Sequence, residues 1–260
     1  MNNSSRIIVS LTSFPAAITY VVEVVRSILE GSVLPDKIVL YLFREEFLQN
    51  EIPSDLQQLV AESPIFEIRY CDRNMRSYLK LIPALRDFPD DIIVTVDDDI
   101  HYHPNMLRDL VAVHRRAPKA IIAHRVRKIK MDTPYGKWRK YKWYDFVFKK
   151  YRFSHRALQT GVGGVLYPPH SLDEKMLDPD LFTVLAPKQD DIWFWAAAAS
   201  KGTYVVPVPV GHNALKEVGK PMELSLKSVN LEPGKDRNRE AFERILCHYP
   251  EIRCVVENEQ

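Results

Sequence analysis

The chain has 260 residues, of which 46% are hydrophobic and 27% are charged, and its formal net charge is +2. This balance is typical of a globular protein and excludes a disordered chain, a collagen-like fibre and a small disulfide-stapled module. The three cysteines form no C-x-x-C pair, which argues against a disulfide framework or a structural zinc site. No apolar run reaches the roughly 18 residues of a membrane span. Since no secretory signal is visible either, a cytoplasmic protein is expected.

Strands and helices alternate in the first hundred residues. Apolar, β-branched runs predict strands at 6–11, 37–42, 66–70 and 92–96, and helix-spaced apolar residues predict helices at 18–29, 56–61 and 78–85. The strand runs are continuously apolar, which is typical of parallel strands buried on both faces. The sequence therefore predicts an α/β fold with a mostly parallel sheet flanked by helices.

The second half is less regular. It predicts helices at 103–112, 190–199 and 239–246, the second of them capped by two leading acids, and strands at 120–123, 161–167 and 204–209. Residues 128–153 are rich in Lys, Arg, Trp and Tyr and show little periodicity. Without internal repeats or a low-complexity linker, a single domain is predicted.

Three adjacent carboxylates, Asp97, Asp98 and Asp99, directly follow the fourth predicted strand. Ligands of parallel sheets bind beyond the carboxyl ends of the strands. Residues two apart on an extended backbone point to the same side, so Asp97 and Asp99 can face one ligand together. Their oxygens suit Mg²⁺ or Mn²⁺. A solvated acidic turn is the alternative, and the buried strand before the acids favours a binding site.

Three weaker candidates follow. Asp190 and Asp191 open a predicted helix, where a capping role and a catalytic role are equal alternatives. His212 follows a strand and can ligate a metal through its neutral imidazole, although a single histidine is usually structural. Residues 161–164 hold three of the nine glycines, which predicts a sharp bend or a close approach to a ligand. They match neither the dinucleotide-binding fingerprint nor a P-loop.

Positive charge is concentrated in residues 115–156, which carry 15 Lys or Arg against two acids, so this segment has a charge of +13 and the rest of the chain −11. Nine aromatic residues lie between positions 135 and 153. Such a surface suits RNA, an anionic membrane or a charged glycan acceptor. A solvated basic face with partly buried aromatics is the alternative. An anionic membrane surface is preferred and nucleic acid is not expected, because no nucleic-acid motif is present.

The order of these features resembles nucleotide-sugar-dependent glycosyltransferases of the GT-A fold, close to the family 2 type of bacterial surface-polysaccharide synthesis. The resemblance covers roughly residues 6–213. It rests on the Thr-Ser loop after the first strand, an acid after the third, the D-x-D motif, a glycine-rich strand, an acidic pair before a helix and a late histidine. The usual Pro-Thr-Tyr-Asn after the first strand is absent, so the chain resembles a divergent member.

On the donor side, the resemblance implies that Asp97 lies near the ribose or the metal. Asp99 would ligate Mn²⁺ or Mg²⁺ bridging the donor diphosphate, and Asp72 would hydrogen-bond the base. The other expected nucleotide contacts are Thr12, Ser13, Arg76 and Lys80. The implied donor is a nucleotide sugar, with a UDP-sugar favoured, and the nucleotide-binding half would be residues 1–100.

On the acceptor side, inverting members take their general base from the second residue of an acidic pair, usually Glu-Asp, which makes Asp191 the expected base. Asp190 stands where Glu is usual and is placed with Gly163 and Gly164 near the donor or acceptor sugar. His212 matches a metal-ligand histidine only loosely. Proton removal by Asp191, as an acceptor hydroxyl attacks the anomeric carbon, would invert that centre.

The acceptor-binding half would be residues 101–215, followed by a C-terminal tail and helix at 216–260. The implied acceptor is a glycan or a lipid-linked molecule. Contact between residues 115–156 and anionic lipid would place the protein at the inner face of the cytoplasmic membrane.

Two other classes of protein compete with this interpretation. One is a non-catalytic module that binds a glycan or anionic lipid and holds a structural cation. The other, ranked third, is a phosphatase of the haloacid dehalogenase type. Its nucleophilic Asp would follow the first strand, whereas at least three strands precede the D-x-D motif here.

Overall fold

The computed structural model describes residues 5–48, 51–142, 144–145, 153–208, 215–219 and 235–259. Its strands, in chain order, are β1 Ile7–Thr12, β2 Lys37–Phe43, β3 Phe66–Cys71, β4 Ile92–Thr95, β5 Ile100–Tyr102, β6 Ile121–Ala123, β7 Val126–Lys128, β8 Ala157–Gln159, β9 Val165–Tyr167, β10 Val205–Pro207 and β11 Leu215–Glu217. Seven of them form one sheet in the order β10-β6-β9-β4-β1-β2-β3. Two antiparallel pairs, β5 with β11 and β7 with β8, lie outside it.

The described helices are α1 Val21–Leu29, α2 Ser54–Glu62, α3 Ile82–Asp87, α4 Met106–His114, α5 Pro179–Leu185, α6 Asp190–Lys201, α7 Arg237–His248 and α8 Pro250–Glu257. A 3-10 turn at Arg76–Lys80 precedes α3. No helix in the described ranges is long and apolar enough to cross a bilayer.

The sheet separates two apolar cores, because neighbouring residues of a strand face opposite sides. In β1, Ile8 belongs to the core that includes α6 and α7, whereas Val9 and Leu11 belong to the core that includes α1 and α4. Helix α6 is buried all round from Ile192 to Ala199. The predicted α/β class with a mainly parallel sheet flanked by helices is confirmed.

One strand runs against the others. β1, β2, β3 and β4 pair in parallel, as do β6 and β10, but β9 is antiparallel to both of its neighbours, β4 and β6. Val165, the first residue of β9, therefore lies opposite Thr95, the last of β4. The turn that enters β9 consequently reaches the edge at which β4 and β1 end.

Most of the predicted elements are present, with three differences. The helix predicted at 78–85 is divided into the 3-10 turn and α3, where Pro83 sits in the first turn of the helix. The chain after residue 248 forms a further helix, α8, that the sequence analysis did not predict. The predicted side-chain cap on α6 is wrong, because the N-cap residue is Gln189 and its side chain makes no cap hydrogen bond.

Candidate active site

Lys80 lies at the centre of an acidic cluster at the carboxyl edge of the sheet. Its Nζ is 2.9 Å from Asp97 Oδ1 and 2.8 Å from Asp190 Oδ2, and the side chain is 8% exposed. Burial alone would lower the pKa of Lys80, but the Asp190, Asp97 and Asp191 carboxylates raise it well above its usual value. The ammonium group therefore stays charged and joins the acid after β4 to the acid that begins α6.

The turn that carries Lys80 is anchored on both sides. Tyr78 is buried and its hydroxyl donates to the carbonyl of Ala186, while its ring stacks on Phe182 at 4.1 Å. The Ser77 hydroxyl donates to Asp190 Oδ1 at 2.9 Å. Asp190 thus faces Ser77 and Lys80 rather than capping its own helix.

Asp191 lies beside this cluster, and the backbone N–H of Gly161 donates to its Oδ1 at 2.9 Å. Burial, and then the neighbouring Asp190 and Asp97 carboxylates, raise the pKa of Asp191 to about 7, against the opposing effects of Lys80 and the Gly161 hydrogen bond. A carboxylate that titrates near neutrality is suited to general-base chemistry.

The three consecutive aspartates differ in burial. Asp98 is buried and accepts a 2.5 Å hydrogen bond from the Ser13 hydroxyl, whereas Asp97 and Asp99 are only partly buried. The backbone N–H of Asp97 donates to the Tyr102 hydroxyl at 2.8 Å. Asp98 therefore holds the motif to the loop after β1, and its two neighbours keep accessible carboxylates.

The turn before β9 comes very close to Lys80 and Asp97 at Gly161. A Cβ atom added at Gly161 would lie 2.7 Å from Lys80 Nζ and 2.8 Å from Asp97 Oδ1, closer than carbon can approach. Gly163 and Gly164 have φ angles of 116° and 90°, and a Cβ at Gly164 would lie 3.1 Å from Met106 Sδ. Gly164 thus packs against α4, and a sugar contact for Gly163 or Gly164 stays a prediction.

Other residues predicted at the nucleotide lie outside this network. Asp72 is 83% exposed and pairs with Arg44 at 2.6 Å. The Thr12 hydroxyl donates to the carbonyl of Tyr41 at 2.8 Å. Arg76 is exposed and has a φ of 54°, in the left-handed region. Their nucleotide contacts stay predictions, and His212 lies outside the described residues.

In the described part of the basic segment 115–156, some of the charged and aromatic side chains form contacts within the protein. Asp145 is fully buried and pairs with Lys128 at 2.9 Å and Arg139 at 2.7 Å. Trp138 is buried against Phe242 of α7, with ring centroids 4.9 Å apart. The alternative of partly buried aromatics thus holds for Trp138, and contact with a membrane stays a prediction.

Sequence reasoning missed several residues of the site. Ser77, Tyr102 and Gly161 bind or approach the acids, and Arg125 lies within electrostatic reach of Asp191 and Asp97. The glycine-rich run was the one signal available in the sequence. Within the described ranges, no three His, Cys, Asp or Glu side chains are grouped closely enough to hold a metal ion.

The chain is similar to known proteins both in sequence, over part of its length, and in fold. Residues 49–172 match the family model of glycosyl transferase family 2. No curated protein matches the chain. A mannosyltransferase from Pyrobaculum calidifontis, solved with GDP-Man and Mn²⁺, is 12% identical with a TM-score of 0.51, over 97% of this chain and 76% of that one. At this identity the likeness shows the fold alone.

Two further structures are similar at lower TM-scores. TarS from S. aureus, solved with UDP, is 10% identical over 94% of this chain and 72% of that chain, with a TM-score of 0.48. A 4-diphosphocytidyl-2C-methyl-D-erythritol synthase is 11% identical over 88% of this chain and all of that one, with a TM-score of 0.47. Residues 49–172, just under half of the chain, thus resemble family 2 glycosyltransferases, and the mainly parallel sheet flanked by helices is similar to the fold of the GDP-Man-bound mannosyltransferase.

Proposed function

We propose that this enzyme transfers a sugar from a nucleotide-sugar donor to an acceptor hydroxyl with inversion at the anomeric carbon, and that Asp191 is the general base. The observation that carries the proposal is the environment of Asp191. Its carboxylate has a pKa of about 7 and is held by the Gly161 N–H, beside the Lys80 bridge between Asp97 and Asp190. The deprotonated carboxylate takes the proton from the acceptor hydroxyl as that oxygen attacks and the nucleoside diphosphate leaves.

A divalent cation fits the residues present. Asp97 and Asp99 offer two partly exposed carboxylates two residues apart, and hard oxygen ligands suit Mg²⁺ and Mn²⁺. When bound, such a cation supplies positive charge for the leaving diphosphate. The mannosyltransferase with GDP-Man and Mn²⁺ supports both the nucleotide-sugar donor and the cation.

The wider role follows from the same family likeness. We place the enzyme in bacterial surface-polysaccharide synthesis, with a glycan or a lipid-linked molecule as the acceptor. UDP-sugars, which the resemblance favours, and GDP-sugars are both candidate donors, since the mannosyltransferase was solved with GDP-Man.

Thermal stability with UDP, GDP, CMP and dTDP, each with Mn²⁺ or with EDTA, tests the donor assignment. Because a ligand that binds only the native state raises the melting temperature, one nucleotide should do so and EDTA should abolish its effect. No shift with any nucleotide would favour a non-catalytic glycan- or lipid-binding module.

Asp191→Asn then tests the base. It should keep the nucleotide-dependent shift and lose release of nucleoside diphosphate from the matching nucleotide sugar by about 10²–10⁴-fold. Asp180→Asn is the matched control, because Asp180 is 77% exposed and pairs with Arg73 on the surface. Loss of the nucleotide shift in Asp191→Asn would overturn the assignment of the base.

A further inference from the structure

Two arginines next to the site have no carboxylate partner in the described part of the chain. Arg125 and Arg127 flank buried Val126 at the start of β7, and the Nε atom of each is buried without a hydrogen-bond partner. Arg127 donates to the carbonyl of Trp138 at 2.9 Å and lies 4.7 Å from the Tyr135 ring centroid. These contacts hold its guanidinium in place and leave its charge uncompensated.

Backbone contacts place Arg125 directly beside the proposed base. The N–H of Thr160 donates to the carbonyl of Arg125 at 2.9 Å, and the next residue, Gly161, donates its N–H to Asp191. Residues two apart on an extended strand share a face, so Arg127 lies on the same side as Arg125. Tyr135 is within electrostatic reach of both arginines and of Asp191.

Two like charges in a partly buried place are unfavourable unless a counter-charge accompanies them. Burial, and then the neighbouring Arg127, lower the pKa of Arg125, and the opposing effects of Tyr135, Asp191 and Asp97 do not reverse this. The guanidinium fork matches the oxygens of a phosphate or carboxylate in a bidentate geometry. Arg125 and Arg127 therefore have the charge and the hydrogen-bond donors to bind an oxyanion.

We propose that Arg125 and Arg127, with Tyr135, form an acceptor subsite that binds a phosphate-type oxyanion of the acceptor beside the hydroxyl deprotonated by Asp191. This inference rests on the proposed function, since it names the acceptor class for the same site. The same oxyanion chemistry is present in the donor diphosphate, which is the source to be distinguished by experiment.

The test uses inorganic phosphate as the probe, titrated by calorimetry with and without a saturating nucleoside diphosphate and Mn²⁺. The main variant is Arg125→Met, which keeps much of the length of the side chain and removes its charge. Arg127→Met is the second variant. Arg116→Met is the control, because Arg116 is an exposed cation of the same basic segment.

We expect phosphate to bind wild type with nucleotide already present, and Arg125→Met or Arg127→Met to weaken it by at least tenfold. Arg116→Met should bind like wild type. Nucleotide binding should be unchanged in all variants. Arg125→Met should also melt at a higher temperature than wild type without phosphate, because an uncompensated charge has been removed.

Unchanged phosphate affinity in both variants would overturn the subsite. Weakened nucleotide binding in Arg125→Met would overturn the acceptor assignment and give these arginines to the donor diphosphate. A lower melting temperature in Arg125→Met would indicate a structural role instead. If the proposed function fails, wild type binds no nucleotide, which is a separate result. In that case the phosphate titration without nucleotide still measures whether the two arginines bind an oxyanion.

Discussion

Single residues set the chemistry of this site through their charges. The carboxylates of Asp97, Asp190 and Asp191 repel one another, and the one ammonium of Lys80 is shared among them. Asp191 makes no ion pair with Lys80 within the described structure and accepts only a neutral N–H, so it takes up a proton most readily. Asp191 is therefore suited to accept a proton, while Lys80 holds Asp97 and Asp190 in ion pairs.

The pH dependence of Asp191 has a definite sign. Its pKa is about 7 in the folded protein, above the ordinary value of 3.8. Transfer should therefore rise with pH through about 7, as the base becomes deprotonated. The stability that its proton contributes is complete below pH 4 and is lost as pH rises to about 7. Urea unfolding should show that the free energy of unfolding falls less from pH 5 to pH 8 in Asp191→Asn than in wild type. An equal fall in the two proteins would contradict the raised pKa.

Lys80→Met should be among the most destabilising single changes at the site. Removing one partner of a buried ionic group leaves uncompensated charges and typically costs about 3–5 kcal/mol. Lys37→Met is the control, because its 2.6 Å pair with Glu67 is about 30% exposed and such a pair contributes about 0–1 kcal/mol. Denaturant midpoints measure both variants. Equal losses of stability in the two variants would show that the Lys80 bridge contributes no more than a surface ion pair.

At the scale of elements, the turn between β8 and β9 packs against Lys80 and Asp97 through Gly161. Gly161→Ala should push Lys80 and Asp97 apart, because the new Cβ would lie within 3 Å of both. We expect a loss of transfer of at least tenfold. Gly136→Ala, where nothing lies within 4 Å of the added Cβ, should leave transfer unchanged. Steady-state kinetics of the two variants decide, and an active Gly161→Ala would show that the close approach is dispensable.

Elements were more predictable from the sequence than contacts. The apolar runs located β1, β2, β3 and β4 within a residue or two, because burial on both faces leaves a continuous hydrophobic signal. The Lys80 bridge and the approach of Gly161 bring together residues that are 17 to 110 positions apart in the sequence. Local sequence patterns carry no information about contacts between such distant residues. The side-chain cap expected at Asp190 is absent, because Gln189 is the N-cap residue and Asp190 lies in the first turn, where it pairs with Lys80.

At the scale of the whole molecule, the two charge regions, +13 over residues 115–156 and −11 elsewhere, predict an oriented approach to an anionic surface. We expect the protein to sediment with phosphatidylglycerol vesicles and not with phosphatidylcholine vesicles. Raising the salt from about 0.05 M to about 0.5 M should release it, because the Debye length shortens. Binding that ignores the lipid charge would contradict a role for the basic segment.

The antiparallel course of β9 has a consequence for how such an enzyme can change. The segment between β7 and β8 is closed at its base, because these two strands pair with each other beside Arg125 and the Gly161 turn. An excursion closed at its base in this way can be lengthened, shortened or exchanged while β1 and β4 stay in register. We predict that enzymes of this fold with different acceptors differ mainly in this segment, provided that Trp138 keeps its contact with Phe242 in the core.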